Sequence, residues 1–142
     1  MTTRILVPVD GSPQSRKALK YAFSHHGDAA IQVLHVKDPL EMGYAADPMG
    51  GAYWEGWVEY AEEHAEAVIQ EAQEIAADYD TTVETAVEMG QPARTIVAYA
   101  DEHDVDAIVM GSHGRTGVSR ILLGSVAETV VRRAPVPVTV VR

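Results

Sequence analysis

The chain switches repeatedly between two hydrophobic periods. Thr3-Arg4-Ile5-Leu6-Val7-Pro8-Val9 is a continuous apolar run of strand length. Asp10-Gly11-Ser12-Pro13 follows. Ser12 suits a helix N-cap, and Pro13 suits the first helical position, where its missing N–H costs nothing. Ala18, Leu19, Ala22 and Phe23 then recur at helical spacing, and Gly27 closes the segment. Residues 30–36 form a second apolar run. The Gly-, Pro- and Met-rich stretch from Lys37 to Ala52 shows no period and is long for a strand-to-helix connection. Trp54, Trp57, Val58, Ala61, Ala65, Val68, Ile69, Ala72, Ile75 and Ala76 repeat at i, i+3, i+4 and i+7. This spacing predicts a long amphipathic helix with both tryptophans in the core and a solvated outer face of glutamates.

The second half repeats the alternation. Residues 81–88 alternate weakly and predict a strand, and 91–103 predict a helix with Ile96, Val97 and Ala100 inward. Ala107-Ile108-Val109-Met110 is a short apolar strand, followed by a glycine-rich loop over 111–117 and a short apolar turn over 118–123. Ser125 to Arg133 reads as a helix opened by a capping box, with Ser125 at the N-cap and Glu128 three residues on. Residues 136–141 form a last strand. Strict strand–helix alternation argues for one α/β domain over 1–142, a three-layer sandwich with a five-stranded parallel sheet and right-handed crossovers.

Composition fits this reading and removes alternatives. Of 142 residues, 46% are hydrophobic and 23% charged, the balance of a folded soluble domain. No apolar run approaches the roughly 18 residues of a membrane span. The first residues run straight into a strand pattern without a signal-type apolar region, so a cytoplasmic location is expected. The absence of cysteine excludes disulfides and thiolate chemistry. A net charge of −10 argues against partnership with nucleic acid or an anionic membrane. Only three of the 11 basic residues are lysine. Such a surface has two readings: a salt-adapted one, its self-repulsion screened within about 3 Å at 1 M salt, or that of an ordinary acidic protein.

The charge is unevenly placed. Residues 53–106 carry 15 acids and one base, Arg94, whereas 111–142 carry five bases and one acid, Glu128. An anionic ligand is therefore expected near the C-terminal third. Parallel sheets bind ligands at the carboxyl ends of their strands, where strand order reverses. With the order 3-2-1-4-5, the exits of the first strand (Val9-Asp10-Gly11-Ser12) and the fourth (Met110 to Gly117) line one cleft. Gly111, Gly114 and Gly117 are expected to free the backbone for positive φ and for an anion nest. Gly124-Ser125 opens the last helix, whose N-terminus attracts anions, and Arg115 and Arg120 add charge. The pattern is neither a Walker A loop nor G-x-G-x-x-G. Asp10 reads either as a cap of its own turn or as a ligand contact, and leaving a cleft strand favours the second. His113 reads either as a phosphate neighbour or as an exposed loop residue. Arg132 and Arg133 complement a helix C-terminus.

Gly111-Ser112-His113-Gly114, nine residues, then Gly124-Ser125 resembles the G-x2-G-x9-G-S/T motif of nucleotide-binding members of the universal stress protein family. Val7 to Ser12, Leu34-His35-Val36 and Pro135 to Val141 are similar to the family's first strand and turn, second strand end and last strand. The resemblance implies an adenine nucleotide alpha hydrolase-like fold and ATP binding in a homodimer. Carried over by position, Pro8, Val9 and Val36 would border the adenine, and Asp10 the ribose. Met110, Gly111, Ser112, His113, Gly114, Arg115 and Thr116, with Gly124, Ser125 and Val126, would hold the phosphates, and Mg²⁺ could bridge them. The last strand would pair with its copy; the order agrees, since a valine-rich edge strand invites pairing.

Three functions stay open. The first is an ATP-binding stress-response or regulatory protein that signals to a protein partner through its dimer surface. The second is a slow ATPase or phosphotransferase, disfavoured because no general base and no Walker-type lysine is evident. The third is an interaction module with an empty site, disfavoured by the intact glycine pattern.

Overall fold

A computed structural model describes residues 2–42, 51–113 and 123–142, with side chains from 55 onward in the second of these segments and up to 40 in the first. The elements follow in the order β1 (Arg4–Pro8), α1 (Pro13–His25), β2 (Ala30–Lys37), α2 (Gly51–Asp78), β3 (Glu84–Met89), α3 (Pro92–Glu102), β4 (Ala107–Gly111), α4 (Ser125–Arg133) and β5 (Val138–Val141). The five strands form one parallel sheet, as the alternation predicted, and their order is β3-β2-β1-β4-β5, the one under which the first and fourth strand exits meet.

Alternate strand residues divide the core into two layers, because successive side chains leave opposite faces. Ile5, Val7, Ile31, Val33 and Val109 meet Ala18, Leu19 and Ala22 of α1 and Val68, Ala72 and Ile75 of α2. Leu6, Leu34, Ile108 and Met110 meet Ile96 and Ala100 of α3 and Ala127 and Val130 of α4. β1 sits at the centre of the sheet, and Leu6 and Val7 are completely buried, one in each layer. Trp57 is buried in its helix as predicted, while the side chain of Trp54 lies outside the described residues.

Three local readings change. β3 begins at Glu84 rather than residue 81, because α2 ends in a tight turn with Asp80 at φ 56° and Thr81 N–H bonded back to the Ala76 carbonyl. The aperiodic stretch after β2 contains a 3-10 turn, Pro39–Met42, whose start is fixed by Leu40 N–H donating to the Asp38 carboxylate at 2.9 Å. The third is the cap of α4. Gly124, not Ser125, is its N-cap, and no side chain caps it. Gly124 N–H donates to the Ser112 carbonyl at 2.6 Å, holding Gly124 extended at φ −69°, ψ 163°. Helical backbone therefore starts one residue earlier than the capping-box reading placed it, at Ser125. Glu128 pairs with Arg132 at 2.7 Å instead of closing a capping box.

Candidate functional site

β1 pairs with β2 on one side and β4 on the other, so the connections after β1 and β4 leave the sheet on opposite faces. Their carboxyl ends are the switch point where such sheets hold ligands. The first exit is a rigid turn. Asp10 Oδ1 accepts the Ser12 N–H at 2.9 Å, Ser12 Oγ accepts the Ser15 N–H at 3.1 Å, and Ser15 Oγ donates to the Ser12 carbonyl. Ser12 is the predicted N-cap and is 2% exposed. Asp10 itself is half-buried, and one of its oxygens serves the turn. Gly11 sits at φ +83°, a conformation that suits glycine, beneath His64 and Val68 of α2.

The fourth-strand exit meets this turn directly. A Cβ on Gly111 would lie 2.8 Å from the Gln14 carbonyl carbon and 2.9 Å from its oxygen, so the bare backbone of β4 is what admits the first turn of α1. Gly111 is strand residue with no positive φ, which corrects the left-handed conformation expected of it; close approach is its reason. Ser112 is buried, donates its N–H to the Val141 carbonyl of β5, and accepts from Gly124. A Cβ on Gly124 would lie 3.0 Å from the Ser112 carbonyl oxygen, so this glycine too permits a backbone contact. Gly114, Arg115 and Thr116, with Gly117 and Arg120, lie outside the described residues.

His113 carries the most telling polarity. Its Nδ1 is 3.1 Å from Ser112 Oγ, while its Nε2 is buried with no hydrogen-bond partner among the described residues. The residue is half-buried rather than an exposed loop histidine. A buried nitrogen left without a partner costs about 1–3 kcal/mol. Beside it, the first turn of α4 offers backbone N–H groups that its glycine N-cap leaves without a side-chain cap, together with the positive end of the helix dipole. Ser125 is exposed there and Val126 half-buried.

An apolar wall completes the cleft on the α3/α4 side. Met110 is buried in that layer, and Val36 and Val126 pack against it half-exposed. Pro8 is half-buried and shares the face of Leu6 by strand alternation. Val9 points the other way, into the α1/α2 layer, and reaches the site through its backbone. Its carbonyl accepts Nδ1–H of the buried His35 at 2.8 Å, tying the ends of β1 and β2 together and fixing the tautomer of that ring. His35 stands edge-on to His64, with ring centroids 5.4 Å apart. Sequence reasoning did not find this link. Its signal was a lone polar residue inside the apolar run Val33-Leu34-His35-Val36.

This arrangement can hold a flat apolar group against Val36 and Met110 and an anion at His113 and the start of α4. It matches known proteins over its whole length. The model of the universal stress protein family covers residues 1–142. A universal stress protein of Methanocaldococcus jannaschii is 36% identical over 141 residues, covering 98% of this chain and 81% of that one. Among solved structures, UspA of Lactobacillus plantarum superposes with a TM-score of 0.81 at 30% identity, covering 99% and 97% of the two chains. At lower identity the fold persists. A universal stress protein solved with cAMP gives a TM-score of 0.72 at 24%, covering 99% and 97%. One from Archaeoglobus fulgidus, solved with dAMP, gives 0.68 at 22%, covering 100% and 98%. The fold is thus adenine nucleotide alpha hydrolase-like, and with sheet order, glycine spacing and sequence in agreement, the chain belongs to the universal stress protein family.

Proposed function

We propose that the protein binds an adenine nucleotide, ATP by preference, across the carboxyl ends of β1 and β4. It would act as a dimeric regulatory protein of the stress response. One observation carries this reading: the buried Nε2 of His113, without a partner among the described residues, stands beside the start of α4, whose N-cap is a glycine; with Ser112 Oγ donating to Nδ1, Nε2–H and the helix N–H groups are the two kinds of donor that a phosphate needs. The adenine would lie against Val36, Met110 and Pro8, with Asp10 at the ribose. Bound cAMP and dAMP in related structures support the ligand class. Mg²⁺ would enter on the phosphates, and the cytoplasm is the compartment this reading assumes.

The dimer would form through β5. That strand is an edge, its valines half-exposed. The carbonyls of Pro137 and Val141 accept from β4 and its loop, so Val138 and Val140 turn their N–H groups outward. Val140→Pro removes an outward donor without breaking the sheet, and sedimentation should report a monomer.

The test is direct. The purified protein is denatured and the supernatant resolved by ion exchange, and the apo protein is titrated with ATP and AMP by calorimetry, with and without Mg²⁺. Retained or tightly bound ATP supports the proposal. Steady accumulation of ADP and phosphate would instead make the protein an ATPase. No binding at any concentration would leave an interaction module and overturn the reading.

A further inference from the structure

The other edge of the sheet is built differently from β5. β3 pairs with β2 alone, and its side chains stay open: Val87 is 42% and Met89 50% exposed. Gly90 N–H donates inward to the Lys37 carbonyl. By strand alternation Thr85, Val87 and Met89 therefore point their N–H and C=O groups outward. Between this edge and α2 lies a groove of about 360 Å³, lined by Glu62, Glu66 and Ile69 of the helix and by Lys37, Thr85 and Val87 of the strands. Among the described residues no other element pairs with the edge.

Natural edges are blunted by lysine, proline, bulges or inward charge. This one has neither lysine nor proline within the strand and carries two glutamates, Glu84 and Glu88. Those acids argue against a second copy as occupant. Antiparallel self-pairing centred on Ala86 sets Glu84 opposite Glu88, and parallel in-register pairing sets each glutamate against itself. Like charges directly opposite destabilise a ladder. The same acids, with Glu62 and Glu66 on the groove wall and 15 acids against one base over residues 53–106, complement a cationic strand.

We propose that β3 is a docking edge for an extended, lysine- or arginine-rich segment of a partner protein. The segment adds a sixth strand to the sheet. Alternate apolar side chains enter the groove against Val87 and Ile69, and alternate basic ones meet Glu84 and Glu88. Backbone hydrogen bonds give affinity, and the charges select the partner. The edge lies two strands from the nucleotide cleft, so the proposal stands apart from nucleotide binding.

The full-length protein is titrated with a labelled acetyl-Lys-Val-Lys-Val-Lys-Val-Lys-amide peptide by fluorescence anisotropy, with a Glu-Val peptide of the same length beside it. The basic peptide is expected to bind, to weaken about tenfold or more between 0.05 and 0.5 M salt as screening shortens, and to protect the Thr85, Val87 and Met89 amides from hydrogen exchange. Val87→Pro removes an outward N–H that makes no ladder bond, and should weaken binding about tenfold. A double Glu84→Gln, Glu88→Gln variant changes exposed side chains only and should weaken it comparably, with melting temperature unchanged. Equal binding of the Glu-Val peptide, protection elsewhere than β3, or full affinity in both variants would overturn the proposal. So would concentration-dependent self-association that Val87→Pro abolishes, since that would make the occupant a second copy.

Discussion

Gly111→Ala tests the joint on which the cleft depends. The added methyl carbon would stand 2.8 Å from both the carbonyl carbon and Cβ of Gln14, and 2.9 Å from its oxygen. Carbon atoms are comfortable at about 3.5–4.0 Å, so β4 and the first turn of α1 must part by about 0.7 Å or more. The neighbour is main chain and cannot swing aside. That turn is also pinned by the Ser12 cap and by Ser15 Oγ. Overpacking of this kind costs about 1–3 kcal/mol. At about 3 °C per kcal/mol for a chain of this size, melting should fall by roughly 3–10 °C. The same opening moves Asp10 away from the His113 side of the cleft. Loss of one hydrogen bond's worth of fit would weaken ATP about tenfold by calorimetry. The same substitution at Gly56 is the control. It lies exposed within α2, and a Cβ there meets nothing within 4 Å. Gly56→Ala should raise stability by about 0.5–1 kcal/mol through helix propensity alone. If Gly111→Ala melts at or above the native protein, or binds ATP equally well, the close approach is not what this glycine provides.

Three further outcomes follow from the same geometry. Ser12→Ala removes the acceptor of the Ser15 N–H and should cost about 0.5–2 kcal/mol in a denaturant titration, with nucleotide affinity falling as the Asp10 turn loosens. His113→Leu, made together with Ser112→Ala so that the buried Ser112 hydroxyl is not orphaned, should leave melting unchanged or raise it, because it also deletes a buried nitrogen without a partner among the described residues, while calorimetry reads weaker ATP binding. Tyr99 is buried in α3, and burial first, then the nearby Glu88, push its phenol above the ordinary value, with Arg4 opposing. A folded-state value raised above the unfolded one means stability is held below pH 10 and lost as pH rises beyond it. Tyr99→Phe should therefore flatten the alkaline decline of melting temperature.

What the sequence made legible was local or periodic. The two hydrophobic periods identify the five strands and four α-helices among the described residues, because one face of each element must be buried, but not the short 3-10 turn after β2. Ser12-Pro13 is read correctly as a helix start because the cap bond spans only three residues. The start of β3 was shifted by a local turn, but the misplaced features of the site depend on residues far apart in the chain. Ser125 looks like the better cap, yet the Ser112 carbonyl captures Gly124 and moves the helix start by one position. No pattern around residue 124 announces that bond. The conformation of Gly111 was misjudged for the same reason, since only the crossing of α1 over β4 reveals why a side chain is excluded. The Val9–His35 bond joins residues 26 apart and was likewise invisible.

The two described glycines of the motif that open and close it have packing reasons of their own. Gly111 admits Gln14, and Gly124 admits the Ser112 carbonyl. Both contacts stabilise the fold whether or not a nucleotide ever binds, so both glycines would be required even with an empty cleft. His113 is different. Its Nδ1 meets Ser112 Oγ, but its buried Nε2 has no partner among the described residues, and burial without one is costly. An anion at the neighbouring start of α4 would complete its hydrogen bonds, which packing at Gly111 and Gly124 does not require. The decisive comparison is thus the pair of opposite signs in the Ser112→Ala, His113→Leu double variant, which orphans no hydroxyl: stability held or gained while affinity is lost. If stability and affinity fell together, His113 would be an ordinary packing residue, and the cleft would lose the polar group whose hydrogen bonds the described residues leave incomplete.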